Sequence, residues 1–521
     1  MIKKGILIVV SVLGLLTTCH SQNAQSRPNI LWIMIEDWSQ NLSCYGTKGV
    51  YTPNIDQLAK EGERFTNSFT TSPVCSTSRS AMMTGFYQNY IGANQHRTYK
   101  KVPLPYGIKP IPKLLEEAGY FTSLMSWKVD CNFLPDKKEE LFMDTSDYTK
   151  KNQIGWRNRK KGQPFFASIT FQDTHRPWDR DSIRPINLND VVVPPYYANT
   201  DLVKRDWANG LEQVQIVDRQ IGILLDLLKK DGLADNTLVF FISDHGGCHI
   251  RGKQFLYDEG IKIPMIMKWP GKIKPNVVND DMVMSIDICA TILEAAGVKE
   301  PVPLHGKSLF SKEVKDRKYI FAARDQMDET HDAMRAVRSK KYKLIHNLMP
   351  ERPYLQFNSY KEGAYPVLAE MNVLHLEGKL TKEQDQFFSA TKPVFELYDI
   401  EKDPYELRNL ADVASYKVIK EDLIKVLNNW RQNVIKDKGI SEDFKANGIF
   451  PDKCPTPTVD EWVVKNKDNY DFEKYGWPSW YPTKTLEEWK RVKQIWVPYV
   501  YREANNHMKR PQVSLSDSKE H

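Results

Sequence analysis

The 521-residue chain is poor in several things, and each lack excludes a class. Its seven cysteines, at 19, 44, 75, 131, 248, 289 and 454, form no C-x-x-C pair and no zinc-ligand spacing, so neither a disulfide scaffold nor a zinc ribbon is expected. No segment after the N-terminus strings together the roughly 18 apolar residues of a membrane-spanning helix, so no transmembrane segment is expected. No repeat of 20–50 residues appears, which excludes solenoids and propellers. The 26 glycines and 30 prolines show no collagen period. There is no dense basic tract, and 73 Lys+Arg against 66 Asp+Glu leave a net charge of only +7, so no nucleic-acid partner is expected. That mild excess suits an anionic substrate.

What is present is organised. Met1-Ile2-Lys3-Lys4 precedes an apolar run from Gly5 to Leu16 and then small polar residues, a basic-then-apolar pattern too short to span a bilayer. Residues 1–22 are therefore expected to be a secretory signal, and the protein to be exported, to the periplasm. Cys19 is a lipoprotein-acceptor candidate, although Thr18 is not the usual residue before one. Apolar runs at Asn29–Ile35, Phe165–Phe171, 238–242, 263–268 and 319–323 read as buried strands. Helical spacing separates them, above all in 207–230, where Trp207, Leu211, Val214, Val217, Ile221, Leu224 and Leu228 recur at three- and four-residue steps. Alternating strands and helices over some 300 residues predict an α/β fold: a large, mixed, mostly parallel sheet sandwiched by helices. Past residue 325 the texture changes. Residues 335–345 and 395–400 read as antiparallel strands and 415–434 as an amphipathic helix, so a smaller α+β domain with an antiparallel sheet is expected. The boundaries follow as 27–330 for the catalytic domain, 331–450 for the smaller one, and 451–521 for a wrapping extension that holds five of the thirteen tryptophans.

Polar groups stand just after the strands: Glu36-Asp37, Asp173 and His175, and Asp244-His245. Ligand sites of open α/β sheets form at the carboxyl ends of strands, so three segments are expected to converge on one edge.

The sharpest motif is Cys75-Ser76-Thr77-Ser78-Arg79-Ser80-Ala81-Met82-Met83-Thr84-Gly85. It resembles the type I sulfatase signature C-x-P-S-R-x-x-x-L-T-G, with Thr77 in place of Pro and Met83 in place of Leu. The similarity continues in chain order. Arg27 to Asp37 resembles the opening strand with its metal carboxylates. Residues 51–65 resemble the T-P-N-I-D-x-L-A stretch. Ser243-Asp244-His245-Gly246 resembles the second metal segment, Lys253 to Pro264 the K-x-x-L-Y-x-x-G-x-x-x-P run, and Glu396 to Leu410 the late E-L-Y-D…D-P-x-E…N-L segment. The chain is identified as a member of this family, resembling bacterial polysaccharide sulfatases of the heparan sulfamidase-like branch.

The resemblance implies an alkaline-phosphatase-like superfold and a sulfuric ester hydrolase whose nucleophile is formylglycine, made from Cys75 by a formylglycine-generating or anaerobic sulfatase-maturating enzyme. It implies one divalent cation, Ca²⁺ by family habit, held by Glu36, Asp37, Asp244 and His245 beside Cys75. Glu36 and His245 stand where the family has Asp and Asn, so the ion's identity stays open. Arg79 would hold the nucleophile, Lys128 and Lys253 the sulfate oxygens, and His175 would protonate the leaving oxygen. Lys128-Val129-Asp130 replaces the family's K-x-H, which leaves open whether Asp130 shares the acid–base work. Elementary chemistry asks for the same parts: a cation cluster, a positioned nucleophile and an acid for the leaving group. Six polar residues in loops, His96, Arg97, His249, Arg251, Arg324 and Asp325, are expected to contact the substrate, a sulfated polysaccharide or oligosaccharide such as ulvan or a glycosaminoglycan. Two other readings remain: a phosphoester or phosphonate hydrolase of the same superfold, and an inactive glycan-binding relative.

Overall fold

The computed structural model describes residues 27–98, 101–126, 128–148, 153–328, 330, 332–437, 484–504 and 508. The expected signal segment with Cys19 and most of the Trp-rich extension lie outside the described residues.

A seven-stranded sheet forms the centre, in the spatial order Phe121–Leu124, Phe165–Phe171, Asn29–Ile35, Thr237–Ser243, Met265–Lys268, Glu63–Phe69 and Val277–Met284. Asn29–Ile35 pairs in parallel with both Phe165–Phe171 and Thr237–Ser243, and all three are buried along their whole length. Both faces are covered, which is why these segments read as continuous apolar runs instead of alternating ones. Met265–Lys268 alone runs antiparallel to its neighbours. The other six strands therefore end at the same edge, and the residues that follow each of them meet there.

The 30-residue helix Asp201–Lys230 buries the predicted stripe from Trp207 to Leu228. Thr200 caps it by accepting from the Val203 amide, and Lys229 and Lys230 sit in its last turn, where they complement the helix dipole. The helix Cys75–Thr84 is buried on every side. It ends at Gly85, whose φ of 76° and whose approach to Leu304 and Cys289 leave no room for a side chain.

A second sheet is antiparallel, in the order Ile320–Arg324, Met334–Arg338, Tyr342–Asn347, Phe395–Asp399. Two expectations are corrected here. The run at 319–323 joins this small sheet and not the large one, because its partner is the hairpin that follows it in sequence, Ile320 pairing with Arg338 and Arg324 with Met334. The stretch 335–345 is two strands and not one, since Ser339 turns the chain back onto Tyr342 through its amide and hydroxyl. The predicted helix at 415–434 is α-helical over Lys417–Asn429 and closes in a wider π turn at Trp430–Val434. From the extension, Leu486–Val500 forms a helix that buries Trp489, Trp496 and Val500. It packs on Pro366–Leu376 and on the long helix. Among the described residues, no helix is long and apolar enough to cross a membrane.

Candidate active site

Five strand ends build the site. Asn29–Ile35 delivers Glu36 and Asp37, Thr237–Ser243 delivers Asp244 and His245, and Phe165–Phe171 leads to His175. Glu63–Phe69 leads to Cys75, the first residue of its helix. Lys128 follows Phe121–Leu124, and Lys253 lies on the loop after His245. Asp37 holds the centre with a backbone φ of 52°, in the left-handed region that few residues with a side chain adopt and that Asp tolerates better than most.

The contacts around Asp37 and Cys75 are close and buried. Lys253 Nζ donates to both Asp37 oxygens, at 3.0 and 2.8 Å, and to Cys75 Sγ at 3.1 Å. His245 Nε2 is 2.9 Å from Asp37 Oδ1 and 3.2 Å from Cys75 Sγ. Burial alone would push the Cys75 thiol up. Lys253, His245 and Lys128 outweigh both burial and the charge of Asp37 and hold it well below the usual thiol range, in keeping with its place at a helix N-terminus. Burial works against the Lys253 ammonium, but Asp37 and Cys75 keep its pKa well above the ordinary lysine value. Burial likewise opposes charge on His245, and Asp244 and Asp37 nonetheless raise it to about 10.

Arg79 ties the two acidic strand ends together. It donates to Asp244 Oδ2 at 3.1 Å, Glu36 Oε1 at 2.9 Å and Thr170 Oγ1 at 3.2 Å. Asp244 Oδ1 accepts the amides of Asp37 and His245, each at 2.9 Å. Lys128 Nζ reaches the same Glu36 oxygen at 2.7 Å.

Asp37, Cys75, Asp244 and His245 place ligand atoms within 4.8 Å of one another. Two carboxylates suit a hard divalent cation, and an imidazole widens the choice toward transition metals. His245 Nδ1 faces the carbonyl oxygen of Gly246 at 2.9 Å, so this nitrogen carries a hydrogen, and a bound cation that displaced the Nε2 proton now facing Asp37 would meet the Nε2 lone pair. The donor set thus fits a divalent cation. Glu36 is the exception among the expected ligands. Its carboxylate is spent on Arg79 and Lys128, and it does not join the group.

An open cleft of about 690 Å³ lies next to this cluster, lined by Glu36, Arg97, Lys128, Asp130, His175 and Arg176 among others. His175 is partly exposed there, at 27% of its side chain. Arg97 is 45% exposed and makes a bidentate pair with Asp130, at 2.9 and 2.8 Å. Burial pushes Asp130 up, but Arg97, Lys128 and His96 hold it well below the usual carboxylate range, so it stays ionised. His96 is buried, with Nδ1 2.9 Å from Asp328 Oδ1. A ring nitrogen of His96, Cys75 Sγ and an Asp130 oxygen lie within 4.8 Å of one another.

The remaining expected substrate contacts are drawn into the interior. His249 stacks on Trp207 at 3.9 Å between centroids, with Trp178 and Trp38 around it. Arg251 donates to the Tyr405 and Glu406 carbonyls, at 2.6 and 2.5 Å, and lies over the Tyr257 ring. Arg324 is buried 2.9 Å from Asp332, and Asp325 accepts from Asn89, Asn94 and Arg335. A polar residue near a motif in sequence is as readily a strut as a contact. Arg251→Ala is accordingly expected to cost about 3 kcal/mol of stability by stranding two carbonyls, with KM unchanged. Chemical denaturation and initial-rate kinetics check both halves.

One residue in contact with His175 and Lys253 carried no sequence signal. Tyr360, on the short helix Ser359–Glu362, puts its hydroxyl 3.3 Å from His175 Nε2 and its ring 5.0 Å from Lys253 Nζ.

Comparison with known proteins agrees with this arrangement. Residues 28–298 match the sulfatase family and residues 246–382 the C-terminal domain of N-sulphoglucosamine sulphohydrolase. An ulvan-active sulfatase of Formosa agariphila is 33% identical over 85% of this chain and 81% of its own length. Human N-sulphoglucosamine sulphohydrolase is 24% identical over 78% of this chain and 90% of its own. A solved structure in complex with its substrate D-glucosamine-2-N,6-O-disulfate superposes with a TM-score of 0.59 at 20% identity, covering 79% of this chain and 99% of that one. With the signature cysteine held among Asp37, His245 and Lys253 and the family match running through the strands that build the site, the chain belongs to the type I sulfatases, in the heparan sulfamidase-like branch, and is a sulfuric ester hydrolase.

Proposed function

We propose that the protein removes sulfate from a sulfated polysaccharide or oligosaccharide of ulvan or glycosaminoglycan type, after Cys75 is converted to formylglycine, and that it does so as an exported, periplasmic enzyme. The observation that carries this reading is Cys75 in a buried cluster, 3.1 Å from Lys253 and 3.2 Å from His245, next to an open polar cleft that Glu36, Lys128 and His175 line. The relative named for ulvan and the one named for N-sulphoglucosamine support the substrate class.

Formylglycine would supply a hydrated aldehyde as nucleophile, and a divalent cation held by Asp37, Asp244 and His245, calcium on the strength of the carboxylates, would supply charge stabilisation. The chain's own groups account for the rest. Lys253 and Lys128 bring two cations to the sulfate oxygens, where negative charge must be balanced in the transition state. Arg79 fixes the acidic strand ends from beneath. His175 stands at the cleft wall, where it can protonate the departing sugar oxygen. Arg97, clamped on Asp130 and partly exposed, offers its remaining N–H groups to an anionic sugar.

The test is co-expression with a formylglycine-generating enzyme, followed by mass measurement of the tryptic peptide 65–79 and assay of free sulfate from ulvan and glycosaminoglycan oligosaccharides. The expected result is a peptide converted from thiol to aldehyde, together with sulfate release. An unconverted Cys75 with retained glycan affinity would instead mark a binding protein. Faster turnover of phosphate or phosphonate esters than of sulfated sugars would favour the other hydrolase reading, toward which the neighbouring Asp244 and His245 point.

A further inference from the structure

We infer that Tyr360 is a positioning residue for proton transfer: its hydroxyl fixes the reactive nitrogen of His175, and the segment beyond residue 350 thereby completes the site. This rests on the sulfatase reading above, with His175 as the acid.

The imidazole is held at both nitrogens. Nδ1 lies 2.8 Å from the Arg176 carbonyl oxygen, a contact that only a ring N–H can make. Nε2 is therefore the atom that gives and regains the mobile proton. It faces the Tyr360 hydroxyl at 3.3 Å and, farther off, Asp37 Oδ2 at 3.7 Å. A phenol suits this position because it accepts from Nε2–H in the resting site, lets that single hydrogen pass to the sugar oxygen at transfer, and donates to the bare nitrogen afterwards. Burial pushes the Tyr360 phenol well above its ordinary range despite Lys253 nearby, so the hydroxyl keeps its hydrogen. In the step itself the hydrate oxygen at position 75 would bond to sulfur as the sulfur's bond to the sugar oxygen breaks, the electron pair of the broken bond stays on the sugar oxygen, and that oxygen takes the Nε2 proton. Tyr360 makes no bond to the substrate.

Tyr360 is placed with unusual care for a residue on a four-residue helix. Asn358 caps that helix by accepting the Lys361 amide at 2.9 Å, and its own amide group reaches Thr330 Oγ1 at 3.2 Å. Lys361, buried next door, donates to the backbone carbonyls of Ile250 and Lys253, at 3.2 and 3.0 Å. The turn is therefore fastened directly to the loop that carries Lys253. From the other side Arg176, the neighbour of His175, pairs with Asp206 and lies over the ring of Tyr365, which in turn packs edge-on against Tyr360. Acid and phenol thus belong to two segments clamped together, and a shift in either would misplace the proton.

Tyr360→Phe keeps the ring over Lys253 and removes only the hydroxyl. In the full-length, formylglycine-converted enzyme it is expected to lower kcat on a sulfated oligosaccharide about tenfold with KM changed less than about twofold. Inorganic sulfate binding, measured by calorimetry, and Tm should stay at wild-type values. In single-turnover assays on a His175→Ala background, Tyr360→Phe should cost less than about twofold more. The inference is overturned by a raised KM with kcat intact, which would make Tyr360 a substrate contact. A full tenfold loss on the His175→Ala background, or weakened sulfate binding, would equally overturn it. A converted wild-type enzyme that releases no sulfate would sink the functional reading itself, a result visible before any variant is made.

Discussion

Cys75→Ala is expected to abolish sulfate release, by at least about 10⁴-fold, while the protein folds and keeps its affinity for sulfate. The two halves separate chemistry from architecture. The sulfur's neighbours do not depend on it: Lys253 remains paired with both Asp37 oxygens and His245 with one of them. No charge is left bare, and the deleted atom sits at a helix N-terminus whose cap geometry comes from the backbone of Val74. Only a small stability change should follow, since the lost volume is one thiol. The cations stay in place, so inorganic sulfate should bind with the wild-type Kd while turnover vanishes. Calorimetric titration with sulfate and a sulfate-release assay on the same sample measure both. A variant retaining more than a hundredth of wild-type activity would remove Cys75 from the chemistry and transfer the argument to the cation cluster alone.

Most parts of this site that were legible in the sequence share one property: they follow the end of a strand or open a helix, Lys253 on its loop being the exception. Asp37 and Asp244 follow continuous apolar runs, and Cys75 opens a helix with Arg79 one turn on. Local patterning and strand direction suffice to send such residues to one edge. The illegible parts depend on which segment meets which in space. Glu36 reads as a metal ligand beside Asp37, yet alternation along the chain turns it to the opposite side, onto Arg79 and Lys128. His249 and Arg251 lie between two motifs but enter an aromatic interior, because the loop that brings Lys253 to Asp37 must fold its intervening residues inward. Tyr360 reaches His175 across 185 positions of sequence. Nothing near a four-residue helix announces such a contact. The strand at 320–324 was misplaced for a related reason: its composition suits either sheet, and only the hairpin after it decides.

Arg79→Met is the second large effect, and it falls on stability as well as rate. Arg79 is 3% exposed and serves two carboxylates that are themselves buried, Glu36 and Asp244. Methionine fills much of the volume and supplies no donor. Glu36 keeps Lys128 at 2.7 Å and Asp244 keeps two backbone amides, so neither is wholly abandoned, but one of their shared counter-charges is gone. Breaking a buried pair by removing one partner costs about 3–5 kcal/mol, which should appear as a Tm lowered by several degrees. The pH dependence has a definite sign. Burial already raises Glu36, with Lys128 and Arg79 acting against it, whereas Asp244 is held low by His245 and Arg79 against the pull of burial. Deleting Arg79 moves both carboxyls upward in the folded state. A carboxyl whose folded pKa rises destabilises the protein while it is ionised, and the penalty is relieved as it takes up a proton. The deficit of Arg79→Met should therefore be full at neutral pH and shrink as pH falls toward the carboxyl range. Denaturant melts of both proteins across that interval, without added divalent cation, measure the difference directly. A deficit that grows on acidification would mean that the two carboxylates do not rely on Arg79 for their charge.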